Sequence, residues 1–165
     1  MAVTKKTTGK TTTAAKKTTT AAKKTTAAAK PAATKSTELK VTGNKKIETL
    51  CKEFNKKFPY LQLCIFYSYA RQQVAKGESI TPIDRSKTLA SVRRADSGGD
   101  ISISGNKKVK SLEKEFDTVF GLYAQICYYN AEGKAYYTTG SYDEMTLSAL
   151  NALGAELGFK KDIWK

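Results

Sequence analysis

Apolar residues recur along residues 37–165 in two copies of one pattern. Identities begin at Gly-Asn-Lys-Lys, residues 43–46 and 105–108, and continue at a constant offset of 62 residues. Both copies then space their apolar side chains as on one face of a helix. The matching positions are Ile47, Leu50, Phe54 and Phe58 in the first copy and Val109, Leu112, Phe116 and Phe120 in the second. Such agreement over more than twenty positions indicates an internal repeat.

Each copy predicts the same order of elements. Alternating apolar and polar residues predict short strands at 39–41 and 101–103 before each helix, and second strands at 61–69 and 122–130 after it. Asn44 and Asn106 are suited to cap the helices, and Pro59 and Gly121 to end them. A third strand at 134–139 and closing helices at 84–95 and 143–158 complete the pattern.

The predicted fold is therefore α+β, a tandem duplication of a β-α-β-β-α unit of about 60 residues. The first repeat covers residues 37–97 and the second 98–165. A unit of this size buries little surface by itself, so we expect the two repeats to pack as one domain.

Residues 1–36 have a different composition. They contain nine lysines and no acidic residue, in a chain of 165 residues with a net charge of +14. The nine are Lys5, Lys6, Lys10, Lys16, Lys17, Lys23, Lys24, Lys30 and Lys35. Thr and Ala make up most of the remainder, and Thr-Thr-Thr-Ala-Ala-Lys-Lys occurs twice in succession at 11–24. This composition predicts a disordered basic tail, because its small side chains cannot bury enough apolar surface to offset the entropy of folding.

Lysines spaced by small residues suit contact with a phosphate backbone without reading of bases. In composition and repetition the tail resembles the Lys/Ala/Thr-rich tails of linker-histone-like proteins, including bacterial histone-like ones. The resemblance implies sequence-independent binding to DNA, or else RNA, through these nine lysines. It also implies a cytoplasmic protein, nucleoid-associated if bacterial. A ribosomal location fits the same composition.

In an alternative function, the tail keeps the protein soluble or binds an anionic surface, such as anionic lipid. The duplicated domain would then be a protein-interaction or assembly module that uses its sheet edges. No segment of the sequence has the length and apolarity of a membrane span.

Two further basic groups lie in the duplicated part. Lysines at the starts of the repeated helices predict an anion site, with solvated lysines as the simpler interpretation. They are Lys45, Lys46, Lys107 and Lys108. A secondary basic patch is predicted from Arg85, Lys87, Arg93 and Arg94. Exposed tyrosines on the sheet would stack unpaired bases, although tyrosine is also a favoured strand residue.

Residues with catalytic chemistry are scarce. Histidine is absent, which removes the commonest general base and metal ligand. Cys51, Cys64 and Cys127 are widely spaced, Cys64 and Cys127 do not align between the copies, and Cys51 fits a buried helix position. The sequence therefore predicts a non-enzymatic protein in a reducing compartment, without cofactor, metal site or shared cysteine site.

Overall fold

The fold described here is that of a computed structural model, which describes residues 38–96 and 98–163. It contains helices and antiparallel sheets, so the predicted α+β class is confirmed. The predicted disordered tail, residues 1–36, lies outside the described residues. The elements in chain order are β1 (Leu39–Val41), α1 (Ile47–Lys57), β2 (Gln62–Tyr67), α2 (Ala70–Ala75), α3 (Leu89–Val92), β3 (Ile101–Ile103), α4 (Val109–Phe120), β4 (Leu122–Tyr129), β5 (Ala135–Tyr137), α5 (Ser141–Glu144) and α6 (Leu147–Glu156).

The two long helices α1 and α4 form where the repeated apolar spacing predicts them. The apolar face of each is buried, including Phe54 and Phe116, which are fully enclosed. Helix α4 ends at Gly121, whose φ of 62° is in the left-handed region that glycine adopts without steric penalty. The predicted bounds of these helices are therefore close to the observed ones.

The strands pair across the repeats and not within them. β1 pairs with β3 and β2 with β4, both antiparallel, and β5 adds to the outer side of β4. Cys64 is the partner of Gln125, which holds the same position in the second copy. Reciprocal pairing of equivalent positions is the signature of two-fold symmetry. The repeats are thus related by an internal two-fold axis that passes between β2 and β4.

The first repeat departs from the predicted pattern because none of its described residues form a third strand. Helix α2, Ala70–Ala75, follows β2, whereas a tight turn at 130–134 joins β4 to β5 in the second repeat. One hydrogen bond of the missing ladder is present, from Ile83 N–H to the Ile65 carbonyl at 2.9 Å, and it matches the bond from Thr138 to Ile126 in the second repeat. The longer connection that contains α2 therefore replaces the hairpin of the second repeat.

Helix capping also differs from the prediction. Asn44 and Asn106 lie in turns before the helices and do not cap them; Lys46 and Lys108 hold the cap positions without a side-chain bond. The closing helices are shorter than predicted and use threonine caps. Thr88 accepts a hydrogen bond from Ser91 N–H at the start of α3, and Thr146 accepts one from Ala149 N–H at the start of α6.

The buried side chains of both repeats form a single apolar cluster between the helices and one face of the β2–β4 pair. This cluster fixes the helices against the sheet. Phe66 and Cys127, on the opposite sheet face, are also buried. Within residues 38–96 and 98–163, no helix has the length and apolarity required to cross a membrane.

Candidate nucleic-acid interface

The nine lysines predicted to bind nucleic acid all lie in residues 1–36, outside the described part of the chain. Their role remains a prediction from the sequence. The described domain shows where the other predicted basic residues lie and which charges surround them.

The first lysine of each repeated pair contacts a carboxylate of the same repeat. Lys45 Nζ lies 2.5 Å from Glu53 Oε2 and also donates to the Lys40 carbonyl. Lys107 pairs with Glu115, which is the equivalent residue of the second repeat. Both lysine side chains are less than one-fifth exposed. The recurring lysine–glutamate spacing therefore forms an intramolecular ion pair twice.

The helix N–H groups that the predicted anion site would use are engaged by backbone carbonyls. At the start of α1, Ile47 N–H donates to the Lys87 carbonyl and Glu48 N–H to the Arg85 carbonyl, both at 2.9 Å. At the start of α4, Val109 N–H donates to the Met145 carbonyl at 3.0 Å. These bonds satisfy donors that a helix start otherwise leaves unpaired.

The second lysine of each pair is exposed. Lys46 lies at the α1 cap, and its charge contributes to lowering the pKa of Glu48, which is lowered mainly by its hydrogen bond from Lys52. Lys108 lies 3.2 Å from Glu144, which also contacts Lys110. Exposed ion pairs of this kind are weak, so Glu144 competes poorly with other anions for these lysines.

The predicted secondary basic patch is divided between the two ends of β2. Arg85 lines a cavity with Gln62, at the start of the strand, whereas the Arg94 guanidinium lies 5.3 Å from the Tyr67 ring centroid, at its end. Five residue steps of a strand separate these ends by about 16 Å. Arg93 lies on the Arg94 side and Lys87 beside the start of α1.

A stacked pair of tyrosines lies at the Arg94 end of β2. The rings of Tyr67 and Tyr69 are 5.6 Å apart and inclined by only 17°. Tyr69 is 58% exposed, and the Arg94 guanidinium covers Tyr67. We call Tyr67, Tyr69 and Arg94 the tyrosine platform. The abundance of tyrosine suggested such a surface, but the contact with Arg94 depends on a residue 27 positions further along the chain.

The interpretation that Cys64 and Cys127 do not share a site is wrong. Their sulfur atoms are 3.0 Å apart. The alignment placed the two cysteines at non-equivalent positions, and this is correct. Cys127 lies two positions beyond Gln125, the residue that pairs with Cys64. Antiparallel pairing of β2 with β4 therefore makes the two cysteines diagonal neighbours on one sheet face. Cys51 is buried as predicted and donates to the Leu63 carbonyl at 3.2 Å.

The half-buried carboxyl group of Glu113 lies beside β4. Glu113 of α4 accepts a hydrogen bond from Ile126 N–H at 3.1 Å. Burial, together with a smaller contribution from the nearby charge of Asp143, raises the pKa of Glu113 to about 7. The Asp143 Oδ1 atom is itself buried without a hydrogen-bond partner among the described residues. Sequence reasoning did not identify Glu113, since its burial depends on the packing of α4 against β4.

No three residues of the metal-ligating types His, Cys, Asp or Glu are grouped to hold a metal ion within the described ranges. Comparisons of the chain with protein-family models, curated proteins and solved structures gave no match.

Proposed function

We propose that this protein binds nucleic acid without sequence specificity, with DNA favoured over RNA, and that it does so without catalysing a reaction. The observation that carries the proposal is the set of nine lysines in residues 1–36, a segment without one carboxylate. Closely spaced lysines displace condensed counterions from a phosphate backbone, and this release supplies the binding free energy.

The charge balance of the folded part supports the tail as the main contact. Residues 37–165 hold 20 basic and 15 acidic side chains, since nine of the 29 Lys and Arg residues precede them. Several of these charges are paired locally, as at Lys45–Glu53 and Arg71–Asp117. The folded part therefore offers a weaker electrostatic attraction than the tail.

The tyrosine platform supports a second, weaker contact with unpaired bases. An exposed ring stacked on another ring, with a guanidinium beside it, matches the surfaces on which single-stranded bases stack. This contact would favour single strands over duplex, because bases in a duplex are already stacked on one another.

The test is a salt titration of binding to duplex DNA and to single-stranded RNA. The intact chain is compared with a variant in which all nine tail lysines are glutamine. If the tail binds duplex DNA through every lysine, log K falls with log salt at a slope of up to about −8. The glutamine variant is expected to lose most of that slope, and a nine-arginine variant to retain it. An unchanged slope in the glutamine variant would assign binding to the folded domain.

The platform is tested separately by Tyr69→Ala. We expect about a fivefold to hundredfold loss of affinity for single-stranded RNA, with little change for duplex DNA. Leu157→Ala is the control, because Leu157 is similarly exposed but lies at the end of α6. Equal losses in both variants would contradict a stacking role.

A protein-interaction or assembly role is the second candidate, and β5 is the observation that favours it. This strand is at the outer side of the three-stranded sheet, and all three of its residues, including Tyr136 and Tyr137, are exposed. An outer strand of this kind accepts an added strand from another chain. Concentration-dependent assembly of the glutamine variant at high salt would support this role, and a monomer at all concentrations would oppose it.

A further inference from the structure

Cys64 lies on β2 and Cys127 on the neighbouring strand β4, one cysteine from each repeat. Gln62 is the partner of Cys127 and Gln125 is the partner of Cys64, so the cysteines are diagonal neighbours on one sheet face. Their sulfur atoms are 3.0 Å apart. A disulfide requires about 2.05 Å, so the two sulfur atoms must approach each other by roughly 1 Å to form the bond.

We propose that Cys64 and Cys127 form a reversible dithiol–disulfide site that reacts with an anionic, low-molecular-weight disulfide. This reaction goes beyond binding of nucleic acid and uses residues that the tail and the tyrosine platform do not include. The disulfide would cross-link the two repeats across the β2–β4 pair.

A cavity on the same sheet face, two residues along from each cysteine, is large enough to hold one charged end of a small disulfide. Its volume is about 230 Å³, and it is lined by Gln62, Arg85, Tyr129, Gly133, Lys160 and Ile163. Gln62 is two residues from Cys64, and Tyr129 is two residues from Cys127, so both residues share the sheet face of the thiols. Arg85 and Lys160 give the lining positive charge, which favours a substrate that carries carboxylates.

The two thiols differ in environment, and this sets their order of reaction. Cys64 is partly exposed and Cys127 is 3% exposed. The hydrogen bond from the Cys127 thiol lowers the pKa of Cys64, and the charge of Arg85 contributes in the same direction. Cys64 is therefore the attacking thiolate and Cys127 the resolving thiol.

The exchange is balanced in electrons and atoms. The Cys64 thiolate attacks one sulfur of the small disulfide; a mixed disulfide forms, and one small thiolate leaves. Cys127 loses its proton and attacks the Cys64 sulfur, which forms the Cys64–Cys127 bond and releases the second small thiolate. Two electrons pass from the protein dithiol to the small disulfide, and two small thiols are the products.

Cys51 is an internal control for selectivity. It is 2% exposed, and burial raises the pKa of its thiol to about 12. A reaction that followed thiol content alone would also modify Cys51. The proposal instead predicts one disulfide and one remaining thiol.

The experiment treats the intact, reduced chain with glutathione disulfide and maps the cysteines by mass spectrometry after trapping free thiols. We expect a loss of about 2 Da and a linked pair of peptides that contain Cys64 and Cys127. Cys51→Ser should give the same product, and Cys64→Ser should not. A stable glutathione adduct on Cys64, or a disulfide that includes Cys51, would overturn the proposal.

Thermal unfolding gives a second readout on the wild-type chain, so the test does not depend on how cysteine variants fold. The bond closes a loop between cysteines 63 residues apart. We expect the oxidised chain to unfold about 5–15 °C above the reduced chain. Equal or lower unfolding temperature after oxidation would contradict a bond that fits the native sheet.

The substrate class is tested by charge. Lys160→Gln should slow oxidation by glutathione disulfide about twofold to fivefold and leave oxidation by neutral hydroxyethyl disulfide unchanged. Lys76→Gln is the control, because this exposed lysine follows α2 and is not part of the cavity lining. Equal slowing with both disulfides would refute selection of an anionic substrate.

Discussion

Replacement of Glu113 by glutamine should change how the stability of the fold depends on pH. The pKa of this carboxyl is raised to about 7 from an ordinary value of 4.5, chiefly by burial. The folded protein therefore holds a proton that the unfolded chain releases between these pH values. Stability must fall as pH rises through this window and then level off above pH 7.

The size of the effect follows from the pKa difference. Each pH unit by which a pKa differs between folded and unfolded states corresponds to about 1.4 kcal/mol, so full enclosure would give about 3 kcal/mol. Glu113 is only partly buried, and solvent screens it, so we expect about 1–2 kcal/mol. In Glu113→Gln the side-chain oxygen can still accept the bond from Ile126 N–H.

Urea unfolding of wild type and Glu113→Gln at several pH values from 4 to 8 measures this difference. The two proteins should have similar unfolding free energies near pH 4, and the variant should be more stable above pH 7. Asp143→Asn should weaken the dependence, because the charge of Asp143 contributes to the raised pKa. The exposed Glu156→Gln is the control. A difference in unfolding free energy between wild type and Glu113→Gln that is constant with pH would show that Glu113 does not titrate with a raised pKa.

Three further substitutions test the packing, each by the free energy of unfolding in urea. Gly121→Ala should cost about 3 kcal/mol, because the added Cβ would lie 2.6 Å from Ala95 N and the backbone has a positive φ. Gly77→Ala is the control: its φ is also positive but the space around it is open, so it should cost about 1 kcal/mol. Equal costs would contradict the close contact at Gly121. Thr146→Ala should cost about 1 kcal/mol through loss of the α6 cap, and Thr146→Ser should restore it. Leu112→Ala, at a fully buried position, should cost about 2–5 kcal/mol, and a smaller loss would show that the cluster closes around the cavity.

The α+β class, the positions of α1 and α4 and the apolar residues that these helices bury could all be predicted from the sequence. These features depend on local spacing, and that spacing occurs twice, so each copy supports the interpretation of the other. The ends of the helices were also predictable, since Gly121 and Pro59 act through their own backbone chemistry.

The third strand of the first repeat was not predictable from the repeat alone. The alignment carries the element from one copy to the other, but the two connections differ. A tight turn at 130–134 joins β4 to β5, whereas helix α2 lies between β2 and Ile83. Within the described residues, the bond from Ile83 to Ile65 is what remains of that ladder. A repeat predicts equivalent positions, but pairing in a hairpin also depends on the length of its connection, which differs between the copies.

Contacts between side chains that are distant in the chain could be identified only from the folded structure. Pairing of β2 with β4 about a two-fold axis placed Cys64 beside Cys127, although their positions in the repeats differ. The same packing buried Glu113 and placed Arg94 on Tyr67. These contacts join residues far apart in the chain, and their distances depend on strand register, which local sequence pattern does not encode.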